Sequence, residues 1–180
     1  FDLTLPSHMR EHYAFFHVSF EHTLSLYFNQ TIDKSINENK HTTVEQKKYY
    51  GKYVDWSLIP SKYRTIDKHC ITDDDDDEGD PNLIQNAKLT LNPEVSPLLV
   101  EDEQLAKLPL TYLISVDHDR FRDEIFIYEG RLRRVGVKVI HNHYPHIFHG
   151  SLGFLKHGPV LLDIATKMTT DLVQYIKENL

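Results

Sequence analysis

LPLTYLISVDHDRFRDE (Leu108–Glu124) and IYEGRLRRVGVKVIHNHYPHIFHG (Ile127–Gly150) decide the fold of this 180-residue chain. An apolar run from Leu110 to Val116 stops at the carboxylate of Asp119, and a second extended run, Val137 to Tyr144, stops just short of His149. Between them Phe121, Ile125, Tyr128, Leu132 and Val135 recur at spacings of four and three, which lines one face of a helix. Asp123 and Glu124 fall in its first turn and Arg131, Arg133 and Arg134 in its last, matching the helix dipole at both ends, and Gly136 offers a left-handed stop. The pattern is strand, helix, strand. A right-handed crossover makes two such strands parallel and sends both carboxyl ends to one rim of the sheet. Asp119 and His149 are therefore expected on neighbouring loops.

Ligands of open α/β sheets collect at that rim, and an acid followed by a histidine is the chain order of the last two members of the Ser…Asp…His set in α/β-hydrolases. The wording around the pair is more specific. Ser96-Pro97-Leu98-Leu99, Leu108-Pro109-Leu110-Thr111-Tyr112, Asp119 with Arg122-Asp123-Glu124, Arg131-Leu132-Arg133, His141-Asn142-His143 and Phe148-His149-Gly150 resemble the C-terminal part of the arylacetamide deacetylase group in the hormone-sensitive lipase family. The likeness reaches upstream to Asp55-Trp56-Ser57 and Pro60 and downstream to Lys177-Glu178-Asn179-Leu180, and is weakest over 64–92.

This resemblance implies an α/β fold class: the last parallel strands and helices of an α/β-hydrolase fold, joined to part of a helical cap. Residues 1–65 would be the cap or lid segment, 66–95 an acidic irregular loop, and 96–180 the C-terminal part of the catalytic domain. It implies catalytic roles for Asp119 and His149, an ester or amide substrate of small-molecule or lipid type, and no cofactor. It also implies residence on the luminal side of the endoplasmic reticulum membrane, through an N-terminal anchor that these residues lack. Inside the matched blocks, Ile147 stands where the family usually has glycine, and Val116 where arylacetamide deacetylases have a disulfide cysteine.

Composition narrows the alternatives. With 40% hydrophobic residues the chain can bury one core of ordinary size, and a net charge of −7 leaves no basic field to hold a nucleic acid. The lone Cys70 forms no internal disulfide. No run of 18 apolar residues occurs, so neither a membrane span nor a secretory signal is expected. The sequence starts at Phe1 and reads as though it begins partway through a protein.

Upstream, Met9, Tyr13, Phe16, Phe20, Leu24 and Tyr27 follow helical spacing from a cap at Ser7, with further aromatics on other sides: a helix packed between neighbours, or, by the resemblance, a lid facing a lipophilic substrate. Asn29-Gln30-Thr31 is a glycosylation sequon, with Asn29 the acceptor if the chain enters the secretory pathway. Residues 33–50 read as short polar helices. The aspartate run 73–77 mimics a calcium loop, but Gln85 occupies the position that needs a bidentate glutamate, so a solvated loop is expected. After the central unit, Pro159 opens an amphipathic helix through Leu162, Ala165, Met168, Leu172, Tyr175 and Ile176, which should cover one face of the sheet.

Acyl transfer needs a histidine to take and return a serine proton, and a carboxylate to hold that histidine's tautomer. His149 and Asp119 fit those two roles. Neither a Gly-x-Ser-x-Gly elbow nor a His-Gly-Gly-Gly type loop occurs in these 180 residues, and Gly150-Ser151-Leu152-Gly153 has the wrong spacing. The chain by itself is therefore expected to turn over no ester. Two other readings stand beside this one. The series His141, His143, His146 and His149 invites a metal, because alternate strand residues share a face. A truncated or degenerate hydrolase could also serve as a non-catalytic binding or regulatory module.

Overall fold

The structure, a computed structural model, describes residues 20–64, 77–153 and 163–179. In order it contains α1 (Phe20–Phe28), α2 (Val44–Gly51), α3 (Pro81–Ala87), α4 (Asp102–Leu105), β1 (Thr111–His118), α5 (Arg122–Arg134), β2 (Val139–Phe148) and α6 (Asp163–Asn179), with short 3-10 turns between them. β1 and β2 form a parallel pair whose register runs from Thr111 opposite Val139 to Val116 opposite Tyr144. Beyond it the register shifts, and His118 faces Phe148. β1 spends one residue there, Asp117, while β2 spends Pro145, His146 and Ile147. Proline cannot donate to a ladder and collects at such bulges, and His146 takes a left-handed φ of 61° at the same bend.

Strand alternation sends the two faces to different helices. On one face Leu113 and Val139 pack with Leu132 of α5, and the rings of His141 and His143 lie against Phe126. On the other, Val116, Tyr144 and Ile147 pack with Met168 of α6, and Tyr112 stacks on Tyr175 at 4.4 Å. The result is helix, sheet, helix. Ile147 and Val116, two of the positions that depart from the family pattern, thus meet in one buried cluster.

The helix between the strands runs as expected and ends at Gly136, whose φ is 88°. Its buried side differs from the expected one. Phe126, Ile127, Arg131 and Leu132 are buried, whereas Phe121 precedes the helix and is 36% exposed. The cause is a second packing surface: Ile59 and Leu98, with Trp56, Leu58 and Tyr63 around them, cover α5 on the side away from the sheet. A Cβ at Gly130 would sit 2.9 Å from Leu58 Cδ2 and 3.0 Å from its Cβ, so a larger residue there would have to displace Leu58. Pairing of Arg134 with Asp55 at 2.8 Å ties the Asp55-Trp56-Ser57 block to the same helix.

In the upstream half, Phe28, Ile32, Ile36, Leu83 and Ala87 form a separate small core. The irregular stretch expected over 66–95 is helical from Pro81 to Leu91, because Asp80 caps two amides and Leu83 and Ala87 have apolar partners to bury against. α2 begins with a full capping box between Thr43 and Gln46. The lid-helix spacing from Ser7 and most of the aspartate run lie outside the described residues, as does Pro159. α6 covers the sheet with Ala165 and Met168, while Ile176, expected on that face, is exposed. Among the described residues, no helix is long and apolar enough to cross a membrane.

Candidate active site

β1 delivers Asp119 and β2 delivers His149 to the same rim, as the crossover rule requires. His118 O accepts from the His149 amide at 3.0 Å, which holds the two strand ends together. Asp119 Oδ1 accepts from the Phe121 amide at 2.9 Å, and Oδ2 accepts from His149 Nδ1 at 2.9 Å. The carboxylate side chain is only 10% exposed and the imidazole 70%. A buried acid with both oxygens committed thus fixes an accessible ring. With Nδ1–H spent on Asp119, the neutral imidazole carries its lone pair on Nε2, the form a general base needs. Phe121 presents its ring edge-on to that imidazole at 6.3 Å.

The Asp119 bond raises the His149 pKa against a smaller opposing effect of burial. The sign follows from linkage: a raised imidazole pKa contributes stability that is present below the ordinary histidine range and is lost as pH climbs through the folded-state value.

Five residues after Asp119, burial pushes the Glu124 carboxyl up to about 7, opposed by Arg120 and helped by the charges of Asp119 and Asp123. An acid raised in this way destabilises the fold as it ionises. Stability should therefore fall as pH rises from about 4.5 to about 7, and Glu124→Gln should remove that slope and leave the protein more stable at pH 8. Urea midpoints at pH 4.5 and pH 8 check this; an unchanged slope in the variant would sink it.

The remaining histidines of the series separate. His141 and His143 do share the α5 face of β2, but Glu129, Ser115 and Asp117 occupy their ring nitrogens. His146 swings outward, its side chain 92% exposed. Among the described residues, no group of three His, Cys, Asp or Glu side chains is placed to hold a metal ion. Ser151, in the near-miss string, is buried and donates to Phe148 O, closing the turn after His149. Asn29 follows α1 with a φ of 51° and is exposed.

Sequence reasoning missed Ser115, Asp117 and Glu129. Ser115 Oγ lies 2.7 Å from His141 Nε2, whose Nδ1 is 2.6 Å from Glu129. These contacts have the form of a serine triad, but Ser115 is 1% exposed, so no ester carbonyl reaches it. The signal was available in the register, because Ser115 sits opposite His143 in a parallel pair.

The α/β-hydrolase-fold family matches residues 39–153, and the chain belongs to it. Its relatives are arylacetamide deacetylases and cholesterol ester hydrolases by name. Bovine arylacetamide deacetylase is 32% identical over all of this chain and 44% of its own length. Human arylacetamide deacetylase-like 2 is 33% identical over 87% of the chain and 38% of its own length, and mouse neutral cholesterol ester hydrolase 1 is 30% identical over 79% and 34%. The chain spans less than half the length of these curated relatives.

Proposed function

We propose that Asp119 and His149 are the acid and general base of a carboxylic ester hydrolase that acts through an acyl-serine intermediate, its serine and oxyanion donors coming from residues other than these 180. One observation carries the reading: the His149 Nδ1 to Asp119 Oδ2 bond at the shared strand rim, with the acid buried and the ring accessible. His149 Nε2 takes the serine proton as the hydroxyl attacks the ester carbonyl. Asp119 stabilises the imidazolium that forms, and the ring returns the proton to the leaving alcohol or amine. The same reading takes residues 1–65 as cap, 66–95 as the connecting acidic stretch, and 96–180 as the end of the catalytic domain. The relatives' names support esters, arylacetamides or sterol esters as the substrate class. The resemblance supports the endoplasmic reticulum lumen as the compartment, with glycosylation at the exposed Asn29.

A chimera tests the proposal. This chain replaces the matched 44% of bovine arylacetamide deacetylase, which retains that enzyme's own upstream residues. A folded chimera should hydrolyse short-chain p-nitrophenyl esters. A folded but inert chimera would favour the non-catalytic module.

A further inference from the structure

Glu129, His141, Ser115, His143 and Asp117 form one continuous hydrogen-bonded chain along the α5 face of the sheet. Its four links are Glu129 Oε2 to His141 Nδ1 at 2.6 Å, His141 Nε2 to Ser115 Oγ at 2.7 Å, Ser115 Oγ to His143 Nδ1 at 2.8 Å, and His143 Nε2 to Asp117 Oδ1 at 3.0 Å. Each link needs one hydrogen. Two ionised carboxylates supply none, the hydroxyl one, and each neutral imidazole one. Three hydrogens cannot fill four links, so filling all four takes one proton more than two neutral imidazoles carry.

Both carboxylates are held below their ordinary range. For Glu129, burial is outweighed by His141 and Arg133; for Asp117, burial is outweighed by the His146 amide and His143. The extra proton therefore belongs to an imidazole. Burial lowers His143, with His141 and Arg122 adding positive charge and only Asp117 opposing, so His143 is a poor place for that proton. Around the rings stand Phe126 at 5.2 and 5.4 Å, Tyr63 at 4.7 Å, and Arg133 on Glu129 at 2.8 Å. At the far end, Asp117 Oδ2 accepts from the His146 amide at 2.8 Å and lies 4.0 Å from the His146 ring.

We propose that this chain is a charged positioning device: Asp117, anchored through the histidine pair to α5, pins left-handed His146 and so sets the loop that presents His149 to Asp119. Its relevance to catalysis rests on the function proposed above. A residue with a Cβ rarely adopts φ near +60°, because the Cβ comes too close to the following carbonyl oxygen. Asp117 offsets that strain three residues before the catalytic-type imidazole.

Long-range 1H–15N spectra of the imidazoles in the full 180-residue chain test it, with strand amides as the fold control. At pH 7 the wild type should show one ring of the His141/His143 pair protonated on both nitrogens. Asp117→Asn can donate to His143 Nε2 and still accept from the His146 amide, so every link is filled with neutral rings. That variant should lose the charged ring, move His143 to the Nδ1–H tautomer, and leave the His149 signals unchanged. Asp117→Ala should lose the bonded His149 Nδ1–H signal and lower the His149 titration midpoint toward that of a free imidazole. Two neutral rings in the wild type, a charged ring persisting in Asp117→Asn, or unaltered His149 signals in Asp117→Ala would each overturn the proposal. A wild-type His149 that shows no bond to Asp119 would instead remove the hydrolase reading, while the proton count would stand or fall on the other two rings.

Discussion

In the active chimera, His149→Ala should lower kcat for a p-nitrophenyl ester by about 10⁶-fold, and Asp119→Asn by about 10⁴-fold. The asymmetry follows from the geometry. Without the imidazole, the serine has no base and the leaving group no acid. Without the carboxylate charge, the ring remains but loses the partner that selects its Nδ1–H tautomer and stabilises the imidazolium. The two losses should not add, because each disables the same proton transfer. Near-wild-type turnover in His149→Ala would remove this residue from the reaction.

The largest expected effect on folding is at Arg131, which is 4% exposed and inside α5. Its guanidinium donates to the carbonyls of Leu98 and Val100, pairs with Asp102 at the start of α4, and lies 4.6 Å over the Tyr53 ring. One side chain thus joins the segment after α2, the approach to β1 and the crossover helix. The Asp102 carboxylate is half exposed, so the ion pair itself contributes little. The two carbonyls matter more, since a buried acceptor left without a donor costs about 1–3 kcal/mol. Arg131→Ala should therefore destabilise by about 3 kcal/mol or more, read from the urea midpoint at constant slope. Arg131→Lys should recover little of it, because an ammonium cannot fork to two acceptors in fixed geometry. A loss below about 1 kcal/mol would contradict this account of α5.

Arg131 also marks the limit of what the sequence discloses. As a cation in the last helical turn it reads as dipole complementation, and nothing local distinguishes an arginine facing water from one aimed at carbonyls 33 residues upstream. The strand-helix-strand unit was legible because each element carries its own period and stop: seven residues of apolar run, a four-and-three stripe, and Gly136. The meeting of Asp119 with His149 was legible too, because parallel connection alone brings both strand ends to one rim. The stripe itself was misplaced, since α5 is covered on two sides and a single-face pattern underestimates that burial. The helix at Pro81–Ala87 was hidden by the polar residues around it, its partners lying far upstream at Phe28 and Ile36. The histidine pair admitted a rival metal reading because ligand spacing resembles any strand alternation; only the cross-strand register brings Ser115 between the two rings.

The hydrolase reading rests on a hydrogen bond between His149 and Asp119, and a titration of the His149 imidazole by NMR tests it most directly. The wild type should titrate above the ordinary value of 6.5, because the carboxylate favours the charged ring. In Asp119→Asn the midpoint should drop to that value or below it. Identical midpoints in the two proteins would show that the pair does not form in solution.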